Sequence, residues 1–514
     1  MLTPAFGARQ TARNYAASAL AFAVSLGVGV WFTPFLVTRI GPASYGLVML
    51  AVVVVSYAGP LAQTLSTTLA VAFANARAKA EVHGDPAALQ ATMDSAMGLS
   101  LRIGGGLALL LVPLALVGPL LLGITPAYRS EAGGILLLTG LAFVVWVLGS
   151  PFSAILYAAN RIDLGSYYQA AANLIRVTGA VTLIALLGWG SLSVPVAALV
   201  GGVLALLGAA WSCRSVSALR PRYRRLARGG GLGLRTTGGG VLGGSVATML
   251  LLGSELLVVN YMASEASAGI YAAVIQIPVL IRAAMFNLSS VFGPRILALY
   301  ASGERSAARA ATADAMKLLG IAAALPAGVV LAAAPLVLNV WLGPDFAQFA
   351  PVLELGMIGT VVLVAALPLY GLTTSAGHTT VPAMIRGAAV ALYVVLAVVL
   401  FKTTALGLVS VAAGLAAGLV LPELLAMAPY TARATGAPLA TFLKPFAAVA
   451  VAVGIAWAVT RLMLLAWTPD TILTLCLFGA AVGAIHAMLC LALLDRAQVR
   501  GLFVRIVART PFAA

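Results

Sequence analysis

Residues 214–235 read RSVSALRPRYRRLARGGGLGLR, with seven arginines and no acidic residue, while the chain on either side is overwhelmingly apolar. A loop this basic resists translocation across a membrane, so between apolar segments it marks a cytoplasmic face. It therefore orients the whole chain. Lying between residues 1–213 and 237–435, it is also the strap that joins two stretches of similar length. Its charges suit anionic membrane lipids, which contribute about 1 kcal/mol per Lys or Arg near the surface.

The chain has 514 residues, is 62% hydrophobic and 9% charged, and has a mean hydropathy of +1.06. A water-soluble domain is about 25% charged, so this composition belongs to a polytopic membrane protein. The net charge of +16 does not point to nucleic acid, because the arginines sit at the ends of apolar runs rather than among exposed aromatics. Three cysteines, Cys213, Cys476 and Cys490, are too scattered for a disulfide framework, and three histidines make no cluster at metal-ligand spacing. No metal site and no cofactor is expected. Arg9 and Arg13 precede an apolar run too long for a signal-peptide core, which reads as a retained first membrane helix.

A membrane-crossing helix needs about 20 apolar residues. On that measure the chain holds fourteen segments, near 13–38, 43–75, 93–122, 131–156, 167–188, 191–213, 237–262, 266–299, 311–341, 350–373, 381–402, 405–431, 441–465 and 470–494. With the N-terminus inside, 23 of the 30 Lys and Arg fall on or near the cytoplasmic side, which makes both termini cytoplasmic. The second and eighth segments exceed a straight crossing, and Pro60, Pro278 and Pro294 are their natural bending points.

An internal repeat runs through the first twelve segments. Ser44, Tyr45 and Gly46 correspond to Ile270, Tyr271 and Ala272, 226 residues later. Ala91 to Asp94 match Ala311 to Asp314 at 220, and Pro151 with Ala159, Asn160 and Arg161 match Pro368 with Ala376, Gly377 and His378 at 217. The expected fold is all-α, with about 14 transmembrane helices in two six-helix lobes related by a parallel repeat, plus two extra C-terminal helices. The expected division is an N-lobe over 1–213, a basic linker over 214–236, a C-lobe over 237–435, and the last two helices with a basic tail over 436–514. Repeats of this kind commonly hold a substrate between them.

Polar side chains at membrane depth usually face a bundle interior or a watery cavity. Asn14, Ser18 and Ser25 form one helical stripe, and Ser56, Pro60, Gln63 and Thr67 another; such stripes serve either helix packing or cavity lining. Gln169, Asn173 and Arg176, spaced four and three, stack two amides and a guanidinium on one helix face. Arg102, Arg176 and Arg282 lie within segments, and Arg386 holds the repeat position of Gln169. Arginine suits phosphate because its planar fork donates two hydrogen bonds and stays charged. The candidate substrate-binding residues are thus Arg176, Arg282, Arg102, Arg386, Gln169, Asn173 and Gln63. Glu255 and Glu423 are candidates for ion coupling, since burial shifts a carboxyl toward the working range. In the second half Glu255, Arg282, Glu354, Arg386 and Glu423 mix signs and also admit internal salt bridges.

The opening NYAASALAFAVSLGVGVWFTPFLVTRIGPASYGLVML, with Pro34, the pair Ile40 and Gly41, and Tyr45 with Gly46, resembles the first two helices of polysaccharide flippases in the multidrug/oligosaccharidyl-lipid/polysaccharide exporter superfamily. AGIYAAVIQIPVLIRAAMFNLSSVFGPRILALYASGE and VWLGPDFAQFAPVLELG resemble its second lobe, so the resemblance covers about residues 10–435. It implies a two-lobed bundle with alternating access to a central cavity. In the lipid-linked sugar branch that cavity is cationic and carries a polyprenyl-diphosphate-linked glycan from the inner to the outer leaflet for polysaccharide biosynthesis. The implied setting is the inner membrane of a bacterium, beside polysaccharide-assembly proteins, with no bond-making catalysis. The competing readings are a cation-coupled multidrug exporter of the same superfamily, a membrane-embedded polysaccharide polymerase or glycosyltransferase, and a non-transporting scaffold. An exporter would be expected to hold an acid deep in the first lobe. An enzyme normally needs a polar loop outside the lipid, and the outer loops here are short.

Overall fold

The computed structural model describes residues 8–83, 86–216 and 239–490, and every regular element among them is helical. In chain order these are α1 (Ala8–Ser56), α2 (Gly59–His83), α3 (Pro86–Leu121), α4 (Arg129–Ala158), α5 (Ile162–Leu187), α6 (Ser193–Val216), α7 (Gly239–Met262), α8 (Glu265–Val274) and α9 (Gln276–Ser289). There follow α10 (Gly293–Ala301), α11 (Arg305–Leu342), α12 (Ala350–Ser375), α13 (Thr380–Thr403), α14 (Leu408–Pro422), a π-helical turn (Glu423–Met427), α15 (Ala428–Thr435), α16 (Ala440–Ala466) and α17 (Ile472–Cys490). Apart from Arg214, the seven arginines of the basic stretch lie outside the described residues, as does most of the basic C-terminal tail.

Eleven helical stretches among the described residues are long and apolar enough to cross a membrane. The long helices α2 and α5 are not among them.

Proline sets the breaks. Helix is interrupted at Tyr57–Ala58 just before Gly59 and Pro60, at Ile275 ahead of Pro278, and at residues 290–292 ahead of Pro294. Each proline then sits in the first turn of the next helix, where its missing N–H is not required. A further kink interrupts α1 at Gly41, whose φ of 79° is easily reached without a side chain.

The turns that end α4 and α12 share one hydrogen-bond pattern. At the end of α4, Ala159 donates to Ile155, Asn160 to Tyr157 and Arg161 to Leu156; at the end of α12, Ala376 donates to Leu372, Gly377 to Thr374 and His378 to Thr373. All six residues obey the same offset of 217, and both middle residues have positive φ, 56° at Asn160 and 81° at Gly377.

Contacts divide the chain into two compact units, Met1–Ala273 and Val274–Ala514. In the first, α1 packs on α5 and α4, and α4 also meets α2, α3 and α6. Its core gathers Leu65, Leu69 and Phe73 from α2, Met93 from α3, Ile155 and Leu156 from α4, and Cys213 from α6. In the second, α11 lies between α12 and α16, and α13 pairs with α14. Lipid offers no hydrophobic drive for helix association, so close approach of small residues matters instead. Accordingly Gly328 of α11 fits against the backbone of Trp457 on α16.

Candidate functional site

In the first unit α5 turns Gln169, Asn173 and Arg176 into a cavity of about 190 Å³ whose other walls come from α4 and α6. Trp146, Tyr168, Gly202 and Leu206 are among its lining residues, and no carboxylate is. The spacing of four and three places the three polar groups along one face over nearly two turns, as expected for a helix. Asn173 donates its amide to Ser25 Oγ of α1 at 2.8 Å, while Ser25 donates to the Ala21 carbonyl at 2.9 Å. The Arg176 guanidinium carbon lies 5.7 Å from the centre of the Phe32 ring, also on α1. Tyr168 is tied to Ser212 of α6 by a hydroxyl–hydroxyl bond. A cation with two amides and two aromatic rings in one acid-free cavity is equipped to hold an anion and polar hydroxyls.

The α1 stripe packs. Asn14 donates to the carbonyl and side-chain oxygens of Asn160 at 3.0 and 2.9 Å, and Ser18 pairs with Ser166 at 3.0 Å. Gln63 and Arg102 are exposed on α2 and α3 and are not among the residues lining the cavity. Glu255, on α7, accepts a hydrogen bond from Tyr271 at 3.2 Å, and both are buried.

The second unit joins two residues that the sequence singled out separately. Arg386 of α13 is 5% exposed and Glu423 of the π-turn 4%, with Nη2 and Oε1 4.0 Å apart. Tyr370 of α12 donates its hydroxyl to the same Oε1 at 2.9 Å, and the Arg386 guanidinium stacks 4.0 Å above its ring. Arg386 Nη1 and Glu423 Oε2 are buried without a hydrogen-bond partner. Arg282 is buried on α9, which packs against α12 and α11.

One network escaped the sequence reading. Asp163, fully buried at the start of α5, meets Arg13 at 2.9 Å and Arg161 at 3.1 Å and accepts from Gln10 at 3.0 Å, and its backbone N–H donates to Asn14 at 3.0 Å. The acid beside Arg161 was its only local signal. Two further carboxylates hold helix ends together: Glu131 accepts from Ser44 and Ser191, and Glu265 accepts the Thr125 N–H at 2.5 Å. No group of three or more His, Cys, Asp or Glu among the described residues is placed to hold a metal ion.

No family model matches the chain. It is 28% identical over 501 residues, 97% of its length and 98% of the relative's, to the uncharacterized membrane protein EpsK of Bacillus subtilis (strain 168). Its fold is similar to that of the lipid II flippase MurJ in an inward closed conformation, with a TM-score of 0.66 at 14% identity over 93% of this chain and 99% of that one. A multidrug resistance MATE family transporter of the MOP superfamily, in an inward-facing conformation, gives 0.65 at 16% identity over 81% and 94%. The chain is a multi-pass membrane protein with a transporter fold of this kind.

Proposed function

We propose that the protein is a flippase that moves a polyprenyl-diphosphate-linked oligosaccharide from the inner to the outer leaflet for polysaccharide biosynthesis. The observation that carries this reading is the acid-free cavity of the first unit, where Arg176 stands in line with Gln169 and Asn173. An anionic diphosphate is served by a charge-assisted, two-pronged guanidinium, and the adjoining sugars by amides and aromatic faces. The lipid tail needs no protein cavity, because the bilayer itself is its solvent. The fold shared with a lipid II flippase supports the class, since lipid II is the cargo of that protein. Alternating access between two lobes, fourteen helices, both termini in the cytoplasm and residence in a bacterial inner membrane belong to the same proposal. Anionic lipids and polysaccharide-assembly proteins are its proposed partners.

The test is transbilayer movement of such a lipid in proteoliposomes, with Arg176→Ala compared with the parent at matched protein content. Movement by the parent that collapses in the folded variant is the expected result. If the parent moves no lipid but exports a cationic dye, the protein is instead a multidrug exporter.

A further inference from the structure

Arg386 and Glu423 neutralise one another only in part. Both are at least nine-tenths buried, their closest atoms stand at 4.0 Å, and each leaves one charged-group atom without a hydrogen-bond partner. A buried charged group that leaves an atom without a hydrogen-bond partner carries the full desolvation cost of that atom. Local backbone adds a second irregularity at the same place: after Pro422 the helix widens, and the Ala428 N–H reaches back five residues to the Glu423 carbonyl. Single π-turns inside helices recur at functional sites. Arg386 lies six residues after Thr380, the first of α13, roughly 9 Å along the axis at 1.5 Å per residue.

We propose that Arg386 and Glu423 form a proton-switched anion site, in which protonation of Glu423 frees Arg386 to bind a phosphate or diphosphate group. With Glu423 ionised, the site is neutral and an incoming anion meets carboxylate repulsion. With a proton on Glu423, the guanidinium is the uncompensated charge, and Nη1 is already free to donate. Tyr370 keeps the pair in register, since its hydroxyl grips Oε1 and its ring lies under the guanidinium. Among the described residues of the adjoining elements, α14 carries no titratable side chain, Tyr430 of α15 packs its ring against His378, and Arg433 of α15 is exposed. Tyr393 lies two turns beyond Arg386 on α13. Reciprocal linkage then requires that anion binding draw in a proton to the same degree that protonation tightens binding. The inference rests on the flippase reading and gives it a coupling step in the second unit.

The experiment is calorimetric titration of the purified full chain in buffers of differing ionisation enthalpy, with inorganic pyrophosphate and, separately, a polyprenyl diphosphate in mixed micelles. The parent is expected to take up protons on binding and to bind about tenfold more tightly as the pH falls. Glu423→Gln should bind about as tightly as the protonated parent at every pH and take up fewer protons. The ligand's own ionisation is common to both and cancels in the difference. Tyr370→Phe keeps the ring but removes the bond that favours the carboxylate, and should move the pH midpoint upward. Linkage with pyrophosphate alone assigns the site to the head group; linkage only with the polyprenyl diphosphate shows that the tail contributes. Proton uptake by Glu423→Gln equal to the parent's, or an unshifted Tyr370→Phe midpoint, overturns the switch. A lost response in Arg176→Ala beside an unchanged Glu423→Gln would leave the flippase reading standing without the switch; no binding of either probe by the parent removes both.

Discussion

Gly46 and Glu265 meet so closely that a methyl group on Gly46 would run into the Glu265 backbone carbonyl, and it would also come within 2.8 Å of the Gly269 nitrogen. The contact is reciprocal, because a methyl on Gly269 would strike the carbonyl of Pro42. Gly46 thus faces Glu265 and Gly269, and Gly269 faces Pro42 and Gly46. The two backbones touch where the kinked half of α1 passes α8. Gly46→Ala should therefore destabilise the protein by about 1–3 kcal/mol, the usual cost of overpacking. Gly27→Ala is the control, since a methyl there meets nothing within 4 Å. Thermal unfolding in detergent checks the pair, and equal melting points would show that the α1–α8 contact can relax.

Asp163 and Arg13 are unequal partners. The acid is fully buried while the arginine side chain is 53% exposed. Removing the acid takes the partner from both Arg13 and Arg161, whereas removing Arg13 leaves the Arg161 pair in place. Asp163→Asn is expected to cost about 3 kcal/mol, in the range for a broken buried pair, and Arg13→Gln no more than about 1 kcal/mol. Denaturant unfolding of the two variants measures the difference; similar losses would mean that the network is solvated.

Asn160 and Gly377 occupy the same turn in the two units, both with positive φ. Asparagine tolerates that region better than other residues with side chains. Gly377→Asn should then be almost neutral, and Gly377→Val should cost more than about 1 kcal/mol. Melting temperatures of the two variants decide whether the repeat extends to the energetics of the turn.

What could be read from the sequence was local. The breaks before Pro60, Pro278 and Pro294 follow from proline's own chemistry, and the like turns at Asn160 and Gly377 from residues that tolerate positive φ. The alignment of Gln169, Asn173 and Arg176 needed only helical spacing. Other features depend on distant chain. Asp163 meets Asn14 across 149 residues, and nothing near Asp163 announces that partner. Arg386 could be singled out by its match to Gln169 and Glu423 as a carboxyl just after Pro422, yet their pairing depends on how α13 lies against the π-turn. The exposure of Arg102 and Gln63 likewise depends on which faces of α3 and α2 the core covers.

Arg176 allows a sharper test than its removal. If it acts only as a positive charge, Arg176→Lys should transport nearly as well as the parent. If it grips a diphosphate through two parallel hydrogen bonds, lysine keeps the charge but loses the fork. One charge-assisted bond is worth about 1.5–3 kcal/mol, so the lysine variant should lose about tenfold or more in lipid movement, and alanine more again. Asn173→Ala should be milder, because Asn173 spends one amide bond on Ser25 and offers neutral contacts to the cavity. The order alanine below lysine below Asn173→Ala, measured as initial rates in proteoliposomes, fits a cavity that reads phosphate geometry. A lysine variant equal to the parent would reduce Arg176 to a point charge.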